Sequence, residues 1–287
     1  MATTMERPGP SPVHPSHRRG APWPVEFYRS AIGKKWVMAI TGLMLMGFVF
    51  FHAIGNLKVY LGAQDFNHYG EFLRELLVPI LPRTVTLWLL RIGLIVAGFL
   101  HVHAAYSLTR MNGRANRGGY QQSRDWQAAT IASRTMRWTG VIVGLFILFH
   151  LADLTWGTAN PDFVRGDVYR NFVATFSRTP VAIIYIVANV ALCFHLFHGA
   201  WSMFQSLGLN NPRWNSWRKS FAIGFAVLIG VMNLSFPIAV MTGVVSADDN
   251  PDCITQGDVV VSCTEYEQHL GAGVRPTLSV HDWEAAR

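Results

Sequence analysis

The stretch Trp36-Val-Met-Ala-Ile-Thr-Gly-Leu-Met-Leu-Met-Gly-Phe-Val-Phe-Phe-His-Ala-Ile-Gly-Asn-Leu57 decides the fold. It holds no charged residue, and at about 1.5 Å rise per residue a helix of this length crosses a hydrocarbon core about 30 Å thick. A helix also satisfies its own backbone N–H and C=O groups, which lipid cannot do. Val85–Leu108, Trp138–Trp156, Val181–Leu207 and Ser220–Val245 read the same way. Each is too long for a strand, and none alternates as a barrel strand would. Pro237, inside the last block, is expected to kink it. The expected fold is an all-α membrane protein with five transmembrane helices, four of them forming a cofactor-binding bundle.

The composition agrees. Of 287 residues, 51% are hydrophobic and 14% charged, against about a quarter charged in soluble domains. That excludes a disordered chain and argues against a water-soluble enzyme. Three cysteines exclude a disulfide-dense secreted scaffold. The net charge of +7 is distributed by side of the membrane. The tail up to Lys35 and the loops Arg110–Arg137 and Gly208–Lys219 hold fifteen bases and three acids, whereas Lys58–Arg83, Gly157–Thr179 and Ser246–Arg287 hold eight bases and thirteen acids. Basic loops face the cytoplasm, so the N-terminus is expected inside and the C-terminus outside, in a multi-pass protein of the cell membrane. Nucleic acid is not needed to explain the basic residues. Three regions are expected: a flexible cytoplasmic tail (1–34), a five-helix transmembrane domain (35–245) and an acidic extracytoplasmic tail (246–287). Residues 1–23, rich in Pro, His and Arg, lack the apolar core of a signal peptide.

Two charges fall inside the apolar blocks, Arg91 and Asp153, each toward the outer end of its helix. Such charges mark functional sites, snorkel to the interface or pair with one another. The histidines point to specific chemistry. His52 lies on the first span, His101 and His103 on the second, His150 on the third, and His195 and His198 on the fourth. With helices alternating in direction, His52 and His150 share an outer depth and His101 and His195 an inner one, roughly 10 Å apart. Two imidazole pairs from four helices suit two haem groups ligated on both faces; polar contacts between helices are the alternative. The glycines of the same helices, Gly42, Gly47, Gly55, Gly93, Gly98, Gly140, Gly144 and Gly199, admit either a neighbouring helix or a flat cofactor.

Several segments carry a family resemblance. Ser30-Ala-Ile-Gly-Lys-Lys-Trp-Val-Met-Ala-Ile-Thr-Gly42, Phe51-His52-Ala-Ile-Gly-Asn-Leu57, Arg91-Ile-Gly-Leu with Leu100-His101, Phe149-His150-Leu-Ala-Asp-Leu-Thr155 and His195-Leu-Phe-His-Gly-Ala-Trp-Ser-Met-Phe-Gln-Ser-Leu-Gly208 resemble the single-chain, five-helix cytochrome b anchor of succinate dehydrogenases and fumarate reductases, respiratory complex II. The resemblance runs from about Ser30 to Val245. It implies a flavoprotein subunit and an iron–sulfur subunit on the cytoplasmic face, with electrons passing through one or two b-type haems to a membrane quinone, menaquinone or ubiquinone. It implies ligands His52 and His150 for an outer haem and His101 and His195 for an inner one, with His103 and His198 as alternates for the inner pair.

The chain departs from that pattern beyond Val245, where an acidic tail carries Cys253 and Cys263 around a turn and a short strand. On an oxidising face two cysteines make a small disulfide loop. Together with His52 and His150 they are also the inventory of a Rieske-type [2Fe–2S] cluster, although the Cys-x-His spacing of such centres is absent. Cys193 reads as a small buried hydrophobe. For quinone and proton handling the candidates are Arg29, Ser30 and Lys34 on the inner face and Arg91 and Asp153 on the outer. The Gln64–Tyr69 segment reads as an interfacial loop, and His198, Ser202 and Gln205 share one helical face. The expected role is membrane anchor and electron conduit of succinate:quinone oxidoreductase. Its fumarate-reducing counterpart and a histidine-relay proton transporter are the alternatives, and assembly of several complexes is left open.

Overall fold

The computed structural model describes residues 22–115, 131–209, 211, 213, 215–247, 253–256 and 259–263. Five helices among them are long and apolar enough to cross a membrane: α2 (Ala31–Asn56), α4 (Val85–Ala115), α5 (Ile131–Leu154), α7 (Thr179–Ser206) and α8 (Asn215–Met241). Their apolar surface faces outward. Leu89, Ile95, Phe99 and Val102 of α4 and Leu145 and Leu148 of α5 are all more than half exposed, as lipid-facing side chains must be. The chain is a multi-pass membrane protein. α8 continues through Pro237, which is fully buried.

Three shorter helices fall where the sequence suggested tail and loops. α1 (Trp23–Arg29) lies in the segment expected to be a flexible tail. Ser30 joins it to α2: its hydroxyl donates to Phe27 O at 2.7 Å and accepts from Gly33 N at 2.9 Å, the bond of an N-cap. α3 (Ala63–Glu75) replaces the interfacial loop expected at Gln64–Tyr69, and α6 (Val168–Ser177) precedes α7. Both are amphipathic and lie at the acidic-loop end of the bundle. Phe66 of α3 and Tyr169, Phe172 and Phe176 of α6 bury themselves with Tyr185 and Phe236 of the spans, each contributing about 1.5–3 kcal/mol of apolar burial. Asn67 clamps the two helices together, donating to Asp167 Oδ1 at 3.1 Å and accepting from Tyr169 N at 3.0 Å. Tyr69 lies against Gly55, where an added Cβ would come within 2.6 Å of the phenol oxygen. The close approach requires glycine.

In the bundle α2 packs on α4, α5 packs on α7, and the two pairs meet chiefly through α2 and α7. α8 backs α7, where Cys193 fills the space that a side chain at Gly230 would need. Beyond the bundle, β1 (Cys253–Gln256) and β2 (Val259–Cys263) pair antiparallel, with Cys253 opposite Cys263 and an irregularity between Ile254 and Thr255. The turn and single strand expected there become a ribbon of two strands. Most of the N-terminal tail (1–21) and residues 248–252, 257–258 and 264–287 of the acidic tail lie outside the described residues.

Candidate functional site

A short repeat builds the site. Met38-x-x-Thr41-Gly42-x8-Phe51-His52 on α2 recurs as Met136-x-x-Thr139-Gly140-x8-Phe149-His150 on α5. The partner helices match as well, since His101 lies sixteen residues after the start of α4 and His195 sixteen after the start of α7. The bundle is thus two similar helix pairs, α2–α4 and α5–α7, whose equivalent helices run in parallel.

Each pair positions its own histidine in the same way. His101 Nδ1 lies 3.1 Å from Met38 O and 3.3 Å from Thr41 Oγ1. A carbonyl only accepts, so Nδ1 carries the proton and Nε2 is left as the free lone pair. In the second pair Thr139 Oγ1 donates to Met136 O at 3.0 Å and stands 3.5 Å from His195 Nδ1. The glycine after each threonine makes room for the ring. A Cβ at Gly42 would sit 3.2 Å from His101 Cε1, and one at Gly140 would sit 3.3 Å from His195 Cε1.

Across the gap between the two helix pairs the histidines meet. The His101 and His195 ring centroids are 6.4 Å apart at an interplanar angle of 67°, and those of His52 and His150 are 6.0 Å apart at 88°. Each ring pair takes one histidine from each helix pair, joining helices that are not principal packing neighbours. The two levels are separated by the eleven residues from Thr41 to His52 on α2, about 16 Å of helix rise. The alternates lie elsewhere. His103 is exposed, stacks on Phe99 and meets the Tyr28 hydroxyl at 2.5 Å; His198 is half-buried and makes no ring pair with His101.

His150 has an elaborate support that the sequence did not disclose. The Tyr185 hydroxyl stands 3.3 Å from its Nδ1 and donates to Asp153 Oδ2 at 3.2 Å. Asp153 is fully buried; Thr175 donates to it at 2.9 Å, and the Arg178 guanidinium forms its ion pair. The mutual Arg91–Asp153 pair, one of the readings of these two charges, does not form. Arg91 is exposed and lies over the Trp88 ring at 5.1 Å; Asp153 instead takes Arg178, which sits just before α7 at the same end of the bundle. His52 has a lighter partner, Asn56 Nδ2 at 3.4 Å from its Nε2, and stacks on Phe48.

The remaining candidates lie at the basic-loop end. Ser30 is engaged as the cap of α2, and Lys34 Nζ donates to Tyr28 O at 2.9 Å and Arg29 O at 3.1 Å. Two residues beyond Ser30, Ile32 opens a cleft of about 310 Å³ that Lys35, Ser202, Gln205 and Ser206 complete. Arg218, at the start of α8, is 2% exposed; it lies over Trp201 and donates to Leu209 O at 3.2 Å and to Asn215.

Slot and histidines together define a class: a multi-pass helical membrane protein presenting two facing imidazole pairs between two helix pairs. Residues 112–233 match the family model of the succinate dehydrogenase/fumarate reductase transmembrane subunit, and over that stretch the chain is similar to this membrane subunit. No curated protein and no solved structure matches the chain. The matched residues include His150 and His195; their partners His52 and His101 lie in the other copy of the repeat.

The residues present fit a b-type haem. Two imidazoles bound end-on to one metal at about 2.0 Å per bond have centroids about 6.3 Å apart when coaxial, which both pairs approach. A Nδ1–H held by a carbonyl, with Nε2 free, is the support that a ligating histidine takes.

Proposed function

We propose that this chain is the membrane anchor and electron-transfer subunit of succinate:quinone oxidoreductase. The observation that carries the reading is the pair of facing histidine couples spanning the slot, together with the family match over residues 112–233. His52 with His150, and His101 with His195, hold two b-type haems. When bound, these supply one-electron carriers at two depths of the membrane. The chain's own contribution is to hold the His101, His150 and His195 imidazoles through Nδ1, make room for the His101 and His195 rings with Gly42 and Gly140, and keep water out with apolar spans. The basic-loop side faces the cytoplasm. There a flavoprotein and an iron–sulfur subunit dock, and electrons arrive nearest to His101–His195.

The cleft of Ile32, Lys35, Ser202, Gln205 and Ser206 suits a quinone headgroup, since it offers amide, hydroxyl and ammonium donors beside apolar surface. Arg29 and Ser30 flank it in sequence; Arg91 and Asp153 are not needed for that role. In the tail, residues opposite one another on antiparallel strands have Cα atoms about 4.5–5.5 Å apart, within disulfide range. The register of Cys253 and Cys263 therefore supports a disulfide; a Rieske-type cluster that draws on His52 and His150 has no comparable support.

The test uses the whole complex in native membranes. Added succinate is expected to reduce b-type absorption bands, with electron delivery to a quinone that is lost when the bands are lost. A complex without b-type bands, or an anchor carrying acid-labile sulfide that vanishes in Cys253→Ser, would overturn the reading. Fumarate reduction by quinol faster than succinate oxidation would reassign the direction to the fumarate-reducing counterpart.

A further inference from the structure

We propose that Tyr185 is a positioning residue for His150, and that the Asp153–Tyr185–His150 chain sets the redox character of the His52–His150 centre alone. The proposal rests on the haem reading above and deepens it.

Counting protons fixes the direction of the chain. A phenol has one proton to give. The carboxylate of Asp153 is ion-paired with Arg178 and offers acceptors only, so Tyr185 donates to Asp153 Oδ2 at 3.2 Å. The phenol oxygen, 3.3 Å from His150 Nδ1, then accepts from Nδ1–H. That assignment selects one tautomer and leaves Nε2 as the ligating nitrogen. The hydroxyl has little freedom to leave. Tyr185 is 3% exposed, and its ring stands edge-to-face with Phe146 and Phe176, each at 4.9 Å.

The arrangement exists in only one half of the repeat. Tyr185 lies ten residues before His195; the residue ten before His101 is Arg91, which is exposed and turned onto Trp88. Arg91 thus gives His52 no matching relay, and at the other level His101 and His195 meet neutral groups among the described residues, Met38 O, Thr41 and Thr139. An imidazole linked through one hydroxyl to a carboxylate is the stronger electron donor to its metal. Axial donor strength lowers the potential of a haem, so the effect falls on the His52–His150 centre.

Tyr185→Phe keeps the aromatic packing and removes only the hydroxyl. In the complete complex, redox titration and electron paramagnetic resonance of the oxidised haems read the result. The centre that is missing in His52→Ala is expected to rise in potential and shift its low-spin signal in Tyr185→Phe, while the other centre is unchanged and both haems are retained. Asp153→Asn is expected to move the same centre in the same direction, and it carries the test if Tyr185→Phe does not assemble. Thr139→Val is expected to move the other centre. Two haems with wild-type potentials and signals in Tyr185→Phe and Asp153→Asn would overturn the relay and leave the haem reading intact, as would a shift confined to the His101–His195 centre. Absence of haem from the wild-type complex would overturn both.

Discussion

Asp153 is fully buried, and its carboxylate receives Thr175, Tyr185 and Arg178. Burying a carboxylate is costly unless it is paired and fully hydrogen-bonded, so the two members of the ion pair should respond unequally to substitution. Arg178→Gln leaves an uncompensated anion in the interior and is expected to cost about 3–5 kcal/mol. Asp153→Asn leaves Arg178, whose side chain is 24% exposed, free to reach solvent, and should cost less, about 1–3 kcal/mol. Thermal unfolding of the detergent-solubilised complex checks the order, and equal losses would contradict it. Gly42 and Gly140 make a second contrast. A valine at either position must push on the His101 or His195 ring, against which even a Cβ stands at 3.2–3.3 Å. Gly42→Val and Gly140→Val are therefore expected to lose the His101–His195 haem and keep the other, as read in the reduced-minus-oxidised spectrum.

At the scale of elements, α3 and α6 hold the acidic-loop end of the bundle together through Asn67. Asn67→Ala removes the acceptor for Tyr169 N and the donor to the Asp167 cap, at a cost of about 1–3 kcal/mol. The expected signature is faster amide hydrogen exchange along Val168–Ser177 with exchange in α2 and α7 unchanged; uniform acceleration would mean that the clamp supports the whole bundle. These helices also show where the sequence was readable. α2 was legible because its apolar run is longer than a bilayer core needs. α6 was not, because ten residues are too few to cross a bilayer and its segment, with Asp167, Arg170 and Arg178, reads as a charged loop between spans; its amphipathic pattern instead buries one face against Phe236 and Tyr185. Although the levels lie about 16 Å apart along α2 rather than the expected roughly 10 Å, the pairing of the four histidines at two levels followed from alternating helix direction. Their supports did not, although the Met-x-x-Thr-Gly-x8-Phe-His repeat of α2 and α5 stood in the sequence as a signal for Thr41 and Thr139. Arg178 lies just outside a span, among ordinary loop charges, so nothing in the sequence marks it as the partner of Asp153.

The whole molecule is two helix pairs facing across a slot, with α8 behind one of them and a strand ribbon beyond. Its loops divide by charge, so a reporter fused after Thr242 should be active outside the cytoplasm and one fused after Leu207 inside it. The opposite pattern would invert the proposed docking face. The central claim is that the slot holds two haems, each bridged by one histidine from each helix pair. Haem content per chain in double variants tests it most directly. Two haems are expected in the wild-type chain. One is expected in His52→Ala, and still one in His52→Ala with His150→Ala, because both substitutions strike the same centre. None is expected in His52→Ala with His101→Ala, which strikes both. One haem remaining in that last variant, or none in the His52–His150 double variant, would contradict the pairing on which the account rests.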